Sequence, residues 1–172
     1  MKASQFGNRS LTPIYAMQVQ GDAILGTNVL ISAKGSGFAS ADHQGKAVNL
    51  QIVYNTIINA GHAFSGGSWN GRKWMVLAND VIFSRDHNAL HFSNVKDGVV
   101  ITSNVIVGHG PKDGTTWGRG LEGFAKSTWD AAEHDVTPTA EAPFDRADAA
   151  YLFEIDFTGR KRPGPTSGAQ IP

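Results

Sequence analysis

Arg85, Asp86, His87 and His91 lie within one short stretch of a 172-residue chain. They form its densest gathering of side chains able to move protons or neutralise charge. Cleaving a uronate polymer by β-elimination takes a cation to offset the substrate carboxylate and a base to remove the neighbouring proton. Arg85 suits the first task, and His91 or His87 the second. These three are the candidate catalytic residues. The plainer reading of the same stretch is a solvated polar corner between two strands, which needs no substrate.

Other chemistries find less to work with. Glycoside hydrolysis needs two carboxyls about 5–9.5 Å apart, and Asp42 with Asp86 is the pair that offers them. No G-x-S-x-G elbow supports a serine nucleophile. The same two aspartates with backbone carbonyls could hold calcium, although no contiguous acidic loop accompanies them. His87 and His91 have the H-x-x-x-H spacing but lie in and beside a strand, not on a helix, and no H-E-x-x-H occurs, so no zinc motif is read and metal ligands stay unassigned. The chain has no cysteine, which excludes disulfides and thiolates. Fifteen basic and fifteen acidic side chains cancel, so nucleic acid and anionic membranes are not expected partners. No run approaches the roughly 18 apolar residues of a membrane span. The N-terminus lacks the apolar stretch of a signal peptide.

The elements that must position these residues show themselves as a repeat. The segments AILGTNVLIS, LQIVYNTIIN, WMVLANDVIF and VVITSNVIVG share one grammar, centred on Asn28, Asn55, Asn79 and Asn104 at spacings of 27, 24 and 25 residues. Five residues before each asparagine stand Ala23, Leu50, Trp74 and Val99. Three before stand Leu25, Ile52, Val76 and Ile101, and two after stand Leu30, Ile57, Val81 and Ile106. All are apolar, and the first two columns have the period of two of a strand with one buried face. The spacing is that of one turn of a solenoid, which predicts an all-β parallel β-helix of about five coils. Asparagine tolerates the dihedrals of the bend, and its amide can bond to the coils above and below as a ladder. An amphipathic helix would show a different periodicity, and the Gly- and Ser-rich intervening stretches cannot supply the helices of an α/β fold.

A further strand precedes each pair. In ALHFS, Leu90 and Phe92 point inward while His91 and Ser93 point outward. Counting back from the asparagines aligns His91 with Gly66 and Asp42, and Ser93 with Ser68 and Gln44. This surface, with Asp86 beside it, is the candidate substrate-binding face: Asp42, Gln44, Ser68, Ser93 and Asp86. Arg72 and Asp97 are expected to pair one coil apart. Trp69, Trp117 and Trp129 fall in loops and are expected to pin those loops to the core.

One domain is expected over 1–172, with core coils at about 14–108, an irregular loop region over 109–149, and a final strand and tail over 150–172. LEGFAKSTWDAAEHD allows a short helix, VTPTAEAPFDRAD reads as extended loop, and AYLFEIDF as the last strand. The tail is expected to cover the open end or hang free.

The strand–asparagine–strand grammar over 14–108 resembles bacterial right-handed parallel β-helix repeat proteins of the pectate lyase-like superfamily. Asp156, Gly159, Arg162, Pro163, Gly168 and Ala169 add the D-x-x-G-x-x-R-P…G-A ending of such chains. The resemblance implies right-handed coils and a carbohydrate-directed protein: a polysaccharide lyase on an acidic polymer, a hydrolase or esterase, or a non-catalytic adhesin or tailspike-like module. It implies export to an extracellular or periplasmic location. Being shorter than those proteins, the chain looks like the C-terminal part of one, and its open ends suggest a homo-oligomer.

Overall fold

The computed structural model describes residues 15–31, 35–93, 97–109, 115–117, 120–129, 133–140, 144 and 147–172. The chain winds through three parallel sheets. A first pass gives β1 (Tyr15–Gln18), β2 (Ala23–Gly26) and β3 (Val29–Ile31), and the next gives β4 (Ser36–Ser40), β5 (Leu50–Val53) and β6 (Thr56–Asn59). Then follow β7 (Phe64–Gly66), β8 (Met75–Ala78) and β9 (Val81–Asn88), and after them β10 (Leu90–Phe92), β11 (Val99–Thr102) and β12 (Asn104–His109). Sheet A stacks β1-β4-β7-β10, sheet B stacks β2-β5-β8-β11, and sheet C stacks β3-β6-β9-β12 with β13 (Thr115–Trp117) beyond. The architecture is a parallel β-solenoid of about three turns, not five. Length misled the estimate, because among the described residues no strand after β13 joins the three sheets. Of the irregular region expected over 109–149, residues 110–114, 118–119, 130–132, 141–143 and 145–146 lie outside the described residues.

The interior is a single apolar column running between the sheets. Phe38, Leu50, Ile52, Ile57, Phe64, Met75, Leu77, Ile82, Leu90 and Ile106 are buried together in it. Phe38 stacks on Phe64 at 5.2 Å with nearly parallel rings. Trp69 is buried edge-on against Phe64 and donates Nε1–H to Ser40 Oγ at 3.1 Å, so it pins its loop as expected.

Register corrects the third coil. β8 is paired so that Leu77, not Val76, stands beside Ile52, and Met75 beside Val99. Trp74 and Val76 therefore leave the core columns for their neighbours Met75 and Leu77, and Val81 gives way to Ile82. A one-residue slip moves every side chain to the opposite face. The expected ladder of four asparagines changes with it. Asn28 donates from its backbone N–H and Nδ2 to Asn55 Oδ1 at 3.0 and 2.9 Å. Asn55 does the same to Asp80 Oδ1 at 2.7 and 2.9 Å, and the Asp80 N–H reaches Asn104 Oδ1 at 2.9 Å. The hydrogen-bonded column is thus Asn28, Asn55, Asp80, Asn104. The left-handed bend falls one residue earlier, on Thr27, Tyr54, Asn79 and Ser103, with φ between 51° and 61°. Asn79 belongs to that second column.

The described residues from 120 onward fold back over the outside of two sheets. On sheet C, Ile58, Val81, Phe83 and Val105 are covered by Leu121, Phe124, Val136 and Phe144. The covering segment is a 3₁₀ turn at Leu121–Gly123 followed by antiparallel β14 (Phe124–Lys126) and β15 (Asp135–Pro138), so the extended loop expected at VTPT is a strand. Trp129 packs on the same cluster. On sheet B, Val53, Tyr54, Val76 and Ala78 are covered by Ala147, Tyr151 and Phe153. The expected last strand AYLFEIDF is instead a 3₁₀ turn at Ala149–Tyr151 and an irregular run with one bridge, Ile155 to Lys161.

The tail neither caps an end nor hangs free; it straps the flank. Ser167 Oγ donates to Ser103 O at 3.1 Å, Gly168 N–H to Asn79 O at 2.8 Å, and Ala169 N–H to Thr56 Oγ1 at 3.0 Å. Successive tail residues thus meet successive coils. Gly168 must be glycine: its φ is +90°, and a Cβ would lie 2.8 Å from Val81 Cγ2. Arg162 lies 4.3 Å over the Tyr54 ring and donates to Gly168 O at 2.7 Å. The buried Asp156 carboxylate ties the 156–160 turn through Thr158 and Arg160. The D-x-x-G-x-x-R-P…G-A residues therefore hold the strap.

Candidate functional site

Sheet A differs from its neighbours. Among the described residues no apolar cluster covers its outward face, whereas sheets B and C each carry one. Period two sends Phe38, Phe64 and Leu90 inward, so their successors Ala39, Ser65 and His91 point out in one register row. His91 therefore stands beside Ser65 and Ala39, not beside Gly66 and Asp42 as the counting suggested.

Because the strands of sheet A are parallel, the loops entering them line one edge and the loops leaving them line the other. At the entering edge, coil three runs one residue longer than coil two between sheets C and A: Phe83 pairs with Ile58, yet Leu90 pairs with Phe64. The extra residue bulges out as Arg85, Asp86 and His87. Ser84 Oγ fixes the bulge, donating to Gly61 O at 2.8 Å while accepting the His87 N–H at 3.3 Å. Asp86 N–H donates to Ala60 O at 2.9 Å.

His62 enters the site here, although the sequence reading passed it over. Its ring stacks on His91 with centroids 4.5 Å apart and lies 5.2 Å from His87. Its Nδ1 is 3.0 Å from Asn88 O. A carbonyl only accepts, so Nδ1 carries the proton, and in the neutral ring Nε2 keeps its lone pair. Three imidazoles thus gather at one solvent-facing corner. Beside them Arg85 grips Asp86 with Nε at 2.9 and 3.1 Å and Nη2 at 2.9 Å. The hydrogen bonds from Arg85 hold the Asp86 carboxyl below the usual carboxylate range.

The remaining candidates lie at the leaving edge. Asp42 accepts the Ala47 N–H at 2.8 Å and pairs with Arg72 at 2.6 Å. The Ala47 N–H first, and then Arg72, lower its pKa. Arg72 is thus taken by Asp42, and the expected partner Asp97 instead donates its N–H to Asn70 Oδ1. Ser68 Oγ accepts the Asp42 N–H at 3.5 Å, Gln44 N–H reaches Gln20 Oε1, and Ser93 follows β10 beside Gly67. Asp42 and Asp86 are separated by the width of sheet A, roughly 10 Å or more at 3.3 Å per residue. They make neither a hydrolase pair nor a calcium pair. Among the described residues no group of three or more His, Asp or Glu is arranged to hold a metal ion.

Comparison with family profiles, curated proteins and solved structures returned no match. What stands is the fold, a parallel β-solenoid.

Proposed function

We propose that this chain is a right-handed parallel β-helix protein of the pectate lyase-like kind that acts on an acidic polysaccharide. What carries the reading is one contrast. Among the described residues, apolar clusters from the later chain cover sheets B and C and none covers the outward face of sheet A, which is rimmed by the histidine corner on one edge and by Asp42, Gln44, Ser68 and Ser93 on the other. An extended polymer suits a long flat face of small side chains with a polar rim.

At the corner, His91 takes the proton from the carbon next to the uronate carboxylate. The glycosidic oxygen departs from the β-carbon with its electron pair and gains a proton, leaving a carbon–carbon double bond in the product. His62 stacks on His91 and fixes its ring, and the proton that His91 takes passes, directly or by way of His87, to the departing oxygen. Arg85 exchanges the Asp86 carboxylate for that of the substrate, the same planar bidentate geometry serving both.

The test is ultraviolet absorbance of unsaturated product on pectate, alginate and glycosaminoglycans, with calcium and with chelator. Product forms on one polymer, and His91→Ala or Arg85→Ala lowers turnover about 100-fold or more with the fold intact. Turnover that survives both changes sinks the site. Binding without product on any polymer points instead to a non-catalytic glycan-binding module.

A further inference from the structure

Trp74 sits where neither burial nor backbone preference would place a tryptophan. Its side chain is 70 % exposed. Its φ is 62°, in the left-handed region that a bulky L-residue rarely adopts. Register gives the same corner in the adjoining coils to Asn49, at φ 49°, and Gly98, at φ +75°, the residue types that tolerate that backbone. Among the described residues the indole has no hydrogen bond and no ring partner. The first coil has Asp22 in this place, so Trp74 is the one bulky side chain of the column.

The loop that carries Trp74 is held firmly. Gly71 N–H donates to Asp97 O at 2.8 Å, and Arg72 bonds both Ala47 O at 3.1 Å and Asp42 at 2.6 Å. The ring is therefore presented on a fixed base joining three coils. Its flanks along the corner are polar or bare: Asn49, Lys73 and Gly98, with Lys46 on the neighbouring loop close enough to act on Asp42. A protein-docking aromatic would sit within a wider apolar patch. An exposed indole next to Lys73, in a corner row whose other members are Asp22, Asn49 and Gly98, fits a pyranose ring that carries a carboxylate.

We infer that Trp74 is a stacking platform for one sugar ring of the acidic polymer, with Lys46 and Lys73 attending that ring's carboxylate. This subsite belongs to the leaving-edge loops and is separate from the histidine corner. It rests on the polysaccharide reading above and extends it by naming a residue that grips the chain without touching the chemistry.

Calorimetric titration with oligogalacturonate and oligoalginate, paired with thermal unfolding of the same samples, tests it. Trp74→Asn installs the residue type that the corner uses in the preceding coil. Its affinity falls roughly tenfold, while Tm rises by about 2–4 °C as the strained backbone relaxes. Trp74→Phe keeps most of the affinity. A Trp74→Asn protein that binds like wild type overturns the platform and leaves the polysaccharide reading standing. A lowered Tm or a failure to fold shows that the indole supports the structure, which also overturns it. Wild-type protein that binds neither oligomer overturns both readings together.

Discussion

Two corners of the same coils are built on opposite principles. Between sheets B and C the polar groups of the later coils are enclosed: Asn55, Asp80 and Asn104 are buried and bond in file with half-buried Asn28, and the strap closes over Tyr54 and Asn79. Between sheets C and A the polar groups open to solvent, with three imidazoles, a guanidinium and a carboxylate grouped around a bulge. The first corner resists change because a buried donor or acceptor left unpaired costs the full desolvation of that group. The second can exchange partners, since water is always at hand. Stability and ligand recognition therefore fall on different edges of a common wall. Substitutions at the two corners should separate them.

The largest effect is expected at Asn55. Truncating it to alanine strands the Asn28 N–H and takes the amide partner from the Leu25 carbonyl, and it leaves Asp80 Oδ1 with only the backbone N–H of residue 55. At about 1–3 kcal/mol per stranded buried group, Asn55→Ala loses on the order of 4 kcal/mol, and urea denaturation reads it as a lowered midpoint. A midpoint close to wild type would mean that the column is decoration.

Asp80 gives the next largest effect, and it depends on pH. Asp80 is buried and its Oδ2 has no partner. The equivalent Nδ2 atoms donate to carbonyls one coil back, Asn55 to Leu25 O and Asn104 to Leu77 O. Register puts the Ile52 carbonyl in that place for Asp80, so a protonated Oδ2 can donate as an amide would. Burial raises the Asp80 pKa well above 3.8, and the two bonds from Asn55 offset only part of that. The folded chain then holds a proton that the unfolded chain releases. The associated stability is complete below the unfolded aspartate value and is lost as pH rises through the folded one. Asp80→Asn should leave stability at pH 4 within about 1 kcal/mol of wild type and exceed it increasingly towards pH 8, as thermal unfolding across that range would show. Parallel pH profiles for the two proteins would mean that Asp80 is ionised in the fold.

The solenoid was legible because its inward columns repeat at coil spacing, and three of the four coils read in register. The third did not, for a physical reason. Asn79 and Asp80 are adjacent and both polar, and the runs around them, WMVLA and VIF, are apolar at every position. Buried on the inside and covered by the chain on the outside, those strands carry no alternation to fix their phase. Matching amide to amide selected Asn79, and only backbone pairing reveals the aspartate standing in for an asparagine. His62 was missed although a signal existed: it lies 25 residues before His87, one coil away. The strap was illegible, because its contacts reach back as far as 113 residues to Thr56 and follow no period. Arg85, His87 and His91 were read from residue type alone, and the bulge that gathers them comes from a single extra residue that no motif announces.

At the open corner the smallest change in stability is expected. His62→Ala removes one solvent-accessible bond to Asn88 O and two ring contacts whose outer faces already meet water. The Arg85–Asp86 pair beside it is exposed and contributes little to folding. A chain with His62, His87 and His91 all changed to alanine should unfold within about 0.5 kcal/mol of wild type for each site, and circular dichroism should show the same strand content. Losing several kcal/mol instead would make the imidazole stack a structural device like the buried column, and the two corners would no longer differ in kind. A neutral outcome leaves three histidines that the fold does not need, beside the sheet that no cluster among the described residues covers, and binding is then the remaining physical reason to gather them.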